Sequence, residues 1–176
     1  MQLSVEEQSQ VVEGHGLRIG PLIWPRPYFP SRFERAALVR DYIPVWGIAT
    51  GNTAAFVHTG MGSPEPWTLL RHPVPAISPM QRTAWVSSLL NPENHRVILL
   101  AGLWLTCPEH TVMETLLRKG PIDQAATQLF MLTNRSTSDL THDLSLRRAG
   151  PETRGHASAV LERLESLRTD YPDITR

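Results

Sequence analysis

The stretch Leu99-Leu100-Ala101-Gly102-Leu103-Trp104-Leu105-Thr106-Cys107-Pro108, followed by Glu109-His110-Thr111-Val112-Met113-Glu114, decides the fold. Two apolar runs flank Ala101-Gly102, a tight-turn pair, so the segment predicts a hairpin of residues 96–100 and 103–106. Pro108 suits the first position of a helix, where its missing N–H costs nothing, and so marks a helix start. Trp104, flanked by Leu103 and Leu105, is expected to point inward, because the hairpin must cover the helices that follow.

Upstream, residues 1–30 read as an irregular N-terminal arm, interrupted by Gly14, Gly16, Gly20, Pro21, Pro25, Pro27 and Pro30. Leu22-Ile23-Trp24 and Tyr28-Phe29 are candidate edge strands, the only kind that tolerates such prolines. Ser31-Arg32-Phe33-Glu34 is a capping box, predicting a helix to about Tyr42 that ends before Pro44. Val45 to Ala49 suits a short buried strand. Asn52 to Thr59 carries a helical pattern with Gly60 where a left-handed cap belongs. Pro66 to His72 and Gln81 to Ser88 are further strand expectations, placing most of the sheet in residues 44–106.

Downstream the period becomes helical. Val112, Met113, Leu116 and Leu117 share a face, and Gly120-Pro121 separates that helix from the next. Ile122, Ala125, Ala126, Leu129 and Phe130 form a buried stripe, and Leu140 with Leu144, then Val160, Leu161, Leu164 and Leu167, predict two more helices. The fold class expected is α/β: a small mixed sheet with the hairpin at about 96–106, packed by helices. An α/β domain over 31–135 is followed by a helical extension over 136–176.

The 176 residues suffice for one domain with a real core. No run of about 18 apolar residues exists to span a bilayer. The opening Met-Gln-Leu-Ser-Val-Glu-Glu lacks the basic and apolar regions of a secretory signal, so a cytoplasmic location and no membrane partner are expected. Seventeen basic residues balance seventeen acidic ones, leaving no global field for nucleic acid. Residues 31–106 carry six Arg against four acids, while 134–176 carry seven of each sign. Lys119 is the sole lysine, and this Arg bias reflects GC-rich coding rather than a binding surface.

The sequence carries few of the patterns that chemistry needs. No two of the seven His residues sit three to five apart, so no local helical zinc pair exists. Gly60 and Gly62 follow a helix instead of opening one after a strand, unlike a phosphate loop. Lys119 has Leu116 three residues before it, and no Gly-x-Ser-x-Gly elbow occurs. No catalytic residue, cofactor or metal is therefore assigned. Cys107 stands at a helix N-cap, where a thiol can be activated, but its nearest His, His110, lies on the same helix. An inert cap is the reading. His58 reads as a packing histidine. Arg32 and Arg35 share a helix face that a phosphate could meet, and with Arg71 and Arg82 they form the candidate nucleic-acid contacts.

At these residues the chain resembles a known family. Thr53-Ala54-Ala55-Phe56-Val57-His58-Thr59-Gly60, after a short apolar strand, resembles the TAA-x-x-H-x-G segment of AbiEi-type antitoxin-like proteins, the regulatory halves of type IV toxin-antitoxin pairs. Gly102-Leu103-Trp104-Leu105-Thr106-Cys107-Pro108-Glu109-His110-Thr111 is similar to that family's G-[LV]-x-V-T-[ST]-P-x-R-T junction, followed by an acidic residue that here is Glu114. The matching positions are Thr53, Ala54, Ala55, His58, Gly60, Gly102, Thr106, Pro108, Thr111 and Glu114, and the resemblance spans roughly 17–135. It implies a bacterial phage-defence protein with an N-terminal winged helix for operator DNA, a role in transcriptional regulation, and a nucleotidyltransferase-type toxin acting in the same system.

The departures bear on function. Some thirty residues before Ser31 are too few for a winged helix, so weak or no DNA binding by the chain alone is expected. The family's cap Ser or Thr is Cys107, and its Arg is His110, which at i, i+4 can still meet Glu114. Three readings follow. One is a non-catalytic antitoxin-like regulator. Another is a small enzyme or nuclease remnant with a site assembled from the N-terminal arm and the loops at 60–66 and 73–80. The last is an accessory scaffold that only binds another protein.

Overall fold

The computed structural model describes residues 16–19, 22–25, 30–71, 85–89 and 96–171. Its strands are β1 (Gly16–Ile19), β2 (Leu22–Pro25), β3 (Gly47–Ala49), β4 (Trp67–Arg71), β5 (Trp85–Leu89), β6 (Val97–Leu100) and β7 (Leu103–Thr106). Its helices are α1 (Arg32–Arg40), α2 (Gly51–Thr59), α3 (Pro108–Leu117), α4 (Ile122–Leu132), α5 (Thr137–Ser145) and α6 (Pro151–Asp170). The expected α/β class is therefore the observed one.

Five strands form a mixed sheet in the order β5-β4-β3-β7-β6. β3 runs antiparallel to β4, pairing Ile48 with Leu70, and parallel to β7, pairing Ala49 with Leu105. The hairpin β6–β7 turns through Ala101 (φ 47°) and Gly102 (φ 81°), the two left-handed residues a tight hairpin turn requires. Arg40 Nη1 donates to Ala101 O across 3.3 Å and holds that turn against α1.

The capping box forms as expected: Ser31 Oγ accepts from Glu34 N, and a Glu34 carboxylate oxygen accepts from Ser31 N at 2.8 Å. α1 stops at Arg40, two residues short of Tyr42. The strand expected from Val45 begins only at Gly47, because Gly47 N bonds Pro44 O at 2.7 Å and closes a turn that leaves Val45 in solvent. The N-terminal arm is not wholly irregular, since β1 and β2 pair antiparallel as a separate two-stranded sheet. Leu22-Ile23-Trp24 is thus a strand, while Tyr28-Phe29 and Gln81 to Ala84 lie outside the described residues. α3 ends at Leu117, before Gly120, and Pro121 is the N-cap of α4 instead of its first residue.

Two cores result. Ala36 and Val39 of α1, Ala54, Phe56 and Val57 of α2, and Ala49, Trp67, Leu100, Leu103 and Leu105 of the sheet make one. Val112, Met113 and Leu116 of α3 join Ala126, Leu129, Leu140, Leu144, Val160 and Leu164 in the other. α3 lies between them.

The inward placement of Trp104 is overturned: it is 48% exposed, beside its cross-strand partner Leu99 at 56%. Successive strand residues face opposite sides, so the buried Leu103 and Leu105 require Trp104 to face away from them. Leu105→Ala should cost about 2 to 5 kcal/mol as a cavity in the core, whereas Trp104→Ala should cost under about 1 kcal/mol. Thermal melts of the two variants measure the difference.

Candidate functional site

α2 is the element around which the polar groups collect. Residues 53–57 are buried, so neither end of this nine-residue helix can rely on water for its unpaired N–H and C=O groups. The N-cap Thr50 makes no side-chain cap bond, and Glu114 of α3 supplies the missing acceptor. One of its carboxylate oxygens accepts from Thr50 Oγ1 and, at 2.9 Å, from Gly51 N. The other lies 3.7 Å from His110 Nε2.

The knot continues through the sheet. Thr50 Oγ1 approaches Thr106 Oγ1 at 3.5 Å, and Thr106 Oγ1 pairs with Thr111 Oγ1 at 2.9 Å. His58 Nε2 lies 2.9 Å from Thr106 O; a carbonyl only accepts, so this ring nitrogen carries the proton. His58 is accordingly a hydrogen-bonded packing residue, and burial pulls its pKa below the ordinary histidine value. Thr53 Oγ1 donates to Pro64 O and accepts from Thr68 N, at 2.9 and 2.8 Å. His58, Thr106, Thr111 and Glu114, drawn from two separate sequence blocks, thus tie α2, β7 and α3 together, while Thr53 ties α2 to β4. Ala54 and Ala55 sit fully buried on α2, and Gly60 (φ 75°) ends it.

At the opposite end of α2 the structure corrects a sequence expectation. Arg35 does not share a solvent face with Arg32; it is buried, at 7% exposure. Its Nε donates to Val57 O and its Nη2 to His58 O, both at 2.9 Å, while Nη1 donates to Pro30 O. With its donors committed to backbone carbonyls, Arg35 is unavailable to nucleic acid. Arg32 is exposed above the Phe33 ring, Arg71 closes β4, and Arg82 lies outside the described residues.

Cys107 is the N-cap of α3, with Pro108 as the first helical residue. Its thiol makes no cap bond, and burial raises its pKa, so it is held as a thiol rather than a thiolate. Among the described residues, no group of three or more His, Cys, Asp or Glu could hold a metal ion.

Beside the knot are two clefts of about 330 and 320 Å³, with Thr68 and Arg118 in the walls of both. Sequence reasoning passed over Arg118, which reads as an ordinary basic residue after a helix end. Its guanidinium lies on Gly51: a Cβ there would fall 2.7 Å from Cζ and Nη1. The φ of 51° favours glycine at position 51, and a side chain there would also have to displace the Arg118 guanidinium. Set against protein-family models, curated proteins and solved structures, the chain matches none.

Burial pushes the Glu114 carboxyl up, but contacts from His110, Thr50 and Gly51 outweigh it and leave the pKa below the ordinary value. A depressed carboxyl contributes stability above its unfolded-state pKa of about 4.3 and loses it as pH falls through the folded value. Glu114→Gln should therefore cost about 1 to 3 kcal/mol at neutral pH, with the gap to wild type closing in acid. Urea unfolding across pH reads both effects.

Proposed function

We propose that this chain is a non-catalytic, antitoxin-like regulatory module of the type IV toxin-antitoxin kind, whose counterpart is a nucleotidyltransferase-type toxin. The observation that carries the reading is the knot. The residues of the two family-like blocks are far apart in sequence, yet Glu114 reaches Thr50 and Gly51, just ahead of the first block, and His58 reaches Thr106. A pattern whose polar atoms hold elements together is the signature of a fold rather than of a reaction. The departures at Cys107 and His110 fit the same scheme, because Cys107 still occupies the cap and His110 still faces Glu114.

A regulator of this kind works through a surface. Leu99 and Trp104, paired across the hairpin and both half exposed, give such a surface an apolar centre with an aromatic anchor. The same pair also favours the second reading, an accessory scaffold that binds another protein. No helix among the described residues is long and apolar enough to cross a membrane, so neither reading involves a spanning segment there.

Expression of the chain should restore growth to cells producing the cognate toxin. Rescue should survive Cys107→Ser, since serine is the better helix cap, and should be lost in Trp104→Glu with the fold intact by circular dichroism. A folded wild-type chain that rescues no such toxin would count against the antitoxin reading and leave the scaffold. With Arg35 committed to carbonyls and no net charge, binding to the chain's own promoter should be weak. A gel shift that disappears as salt is raised to physiological strength is the expected result; a defined footprint surviving it is the contrary one.

A further inference from the structure

The cleft of about 330 Å³ has walls contributed by α2, β4, the segment after α3, and α4. The Arg118 guanidinium makes no hydrogen bond or ion pair among the described residues; it lies over Gly51, and Arg118 lines both clefts. It occupies the N-terminal end of α2, where a helix carries partial positive charge and prefers anions. Gln128, on the wall of the same cleft, is 1% exposed, and its buried amide nitrogen has no hydrogen-bond partner. Buried donors are normally matched, so an unmatched one marks a place where an acceptor belongs. Finally, the α2 turn places Asn52 in that wall, beside the Gly51 N–H that Glu114 already takes.

The chemistry required is an acceptor group of negative charge. Glu114 is already engaged with Thr50, Gly51 and His110. Lys119, on the rim, is held by Glu152 at 2.6 Å. Arg118 is therefore the cation in this wall without a partner carboxylate at contact distance, and burial lowers its pKa, as expected for a charge lacking a close counter-ion.

We propose that this cleft binds a small ligand through an oxyanion, a phosphate or carboxylate group received by the Arg118 guanidinium, with the Gln128 amide donating to the same ligand. The ligand is a small molecule and not a nucleic-acid backbone: the volume equals that of roughly eleven water molecules, room for one oxyanion and the group that carries it. This inference is independent of the antitoxin reading, since the two residues it assigns to the ligand, Arg118 and Gln128, make none of the hydrogen bonds of the knot, and it needs no toxin.

The test uses the full chain in thermal melts and calorimetric titration with inorganic phosphate, glycerol phosphate and malonate, each against sodium chloride at equal ionic strength. Saturable stabilisation by a phosphate or by malonate is expected, and whichever acts names the source of the oxyanion. Arg118→Gln should weaken that binding by about tenfold or more, as loss of a charge-assisted hydrogen bond does, and Arg118→Lys should keep part of it. Gln128→Met should weaken it less. Arg135→Gln, in an exposed ion pair on the surface of the helical half, should bind like wild type. Circular dichroism checks that each variant folds, and the Arg118→Lys comparison reads the site even if Arg118→Gln does not. The proposal is overturned if no probe stabilises the chain beyond the chloride control, if Arg118→Gln binds as well as wild type, or if only duplex DNA has an effect.

Discussion

The structure depends on a short helix being buried at both ends. α2 is buried through residues 53–57, and Thr50, Gly51 and Gly60 at its ends are buried as well, so terminal N–H and C=O groups there must be matched by protein. Glu114 reaches in from α3 to the N-terminal end and Arg35 from α1 to the C-terminal end. An anion at the first and a cation at the second is the arrangement the helix dipole favours, worth about 0.3 to 1 kcal/mol at each end and more where burial limits screening. Both contacts are long-range in sequence, so α2 cannot be completed until α1 and α3 have docked.

α3 carries the consequence into the other half of the molecule. Val112, Met113 and Leu116 face the helical core, whereas His110, Thr111 and Glu114 face α2 and β7. Thr111 shows how tightly the two faces are joined. Its hydroxyl takes part in a bond with Thr106 Oγ1 and another with Cys107 O, so the strand, the cap and the first turn of α3 form one unit. Cys107 O thus accepts from both the backbone N–H and the hydroxyl of Thr111.

What was legible in the sequence was what local chemistry dictates. The Ser31 capping box, the Ala101-Gly102 turn, the start of α3 at Pro108 and the end of α2 at Gly60 each follow from a few neighbouring residues. Trp104 was misjudged because its apolar neighbours in sequence lie on the opposite face of the strand. Arg35 was misjudged for a different reason: the carbonyls that bury it come from 22 and 23 residues further on. Glu114 was picked out by resemblance to a motif, with no sign in the sequence that its partner would be the backbone of α2. Arg118 and Gln128 had no local signal at all, since an arginine after a helix and a glutamine on one both read as surface.

The contrast between the two arginines near α2 separates a structural role from an unfilled one. Arg35 sits where the helix is negative and directs its donors to carbonyls at 2.9 Å, so the fold alone explains its burial. Arg118 sits where the helix is positive, loses hydration, and receives only longer-range attraction from Glu114 in return. A guanidinium held in water would be better solvated, and a carboxylate would suit that end of the helix better. The cation at this position thus finds no close acceptor among the described residues, and its guanidinium lies over Gly51, a glycine its own φ of 51° already favours. An arginine at the positive end of a helix without a close acceptor makes sense when a third, negatively charged group completes the arrangement.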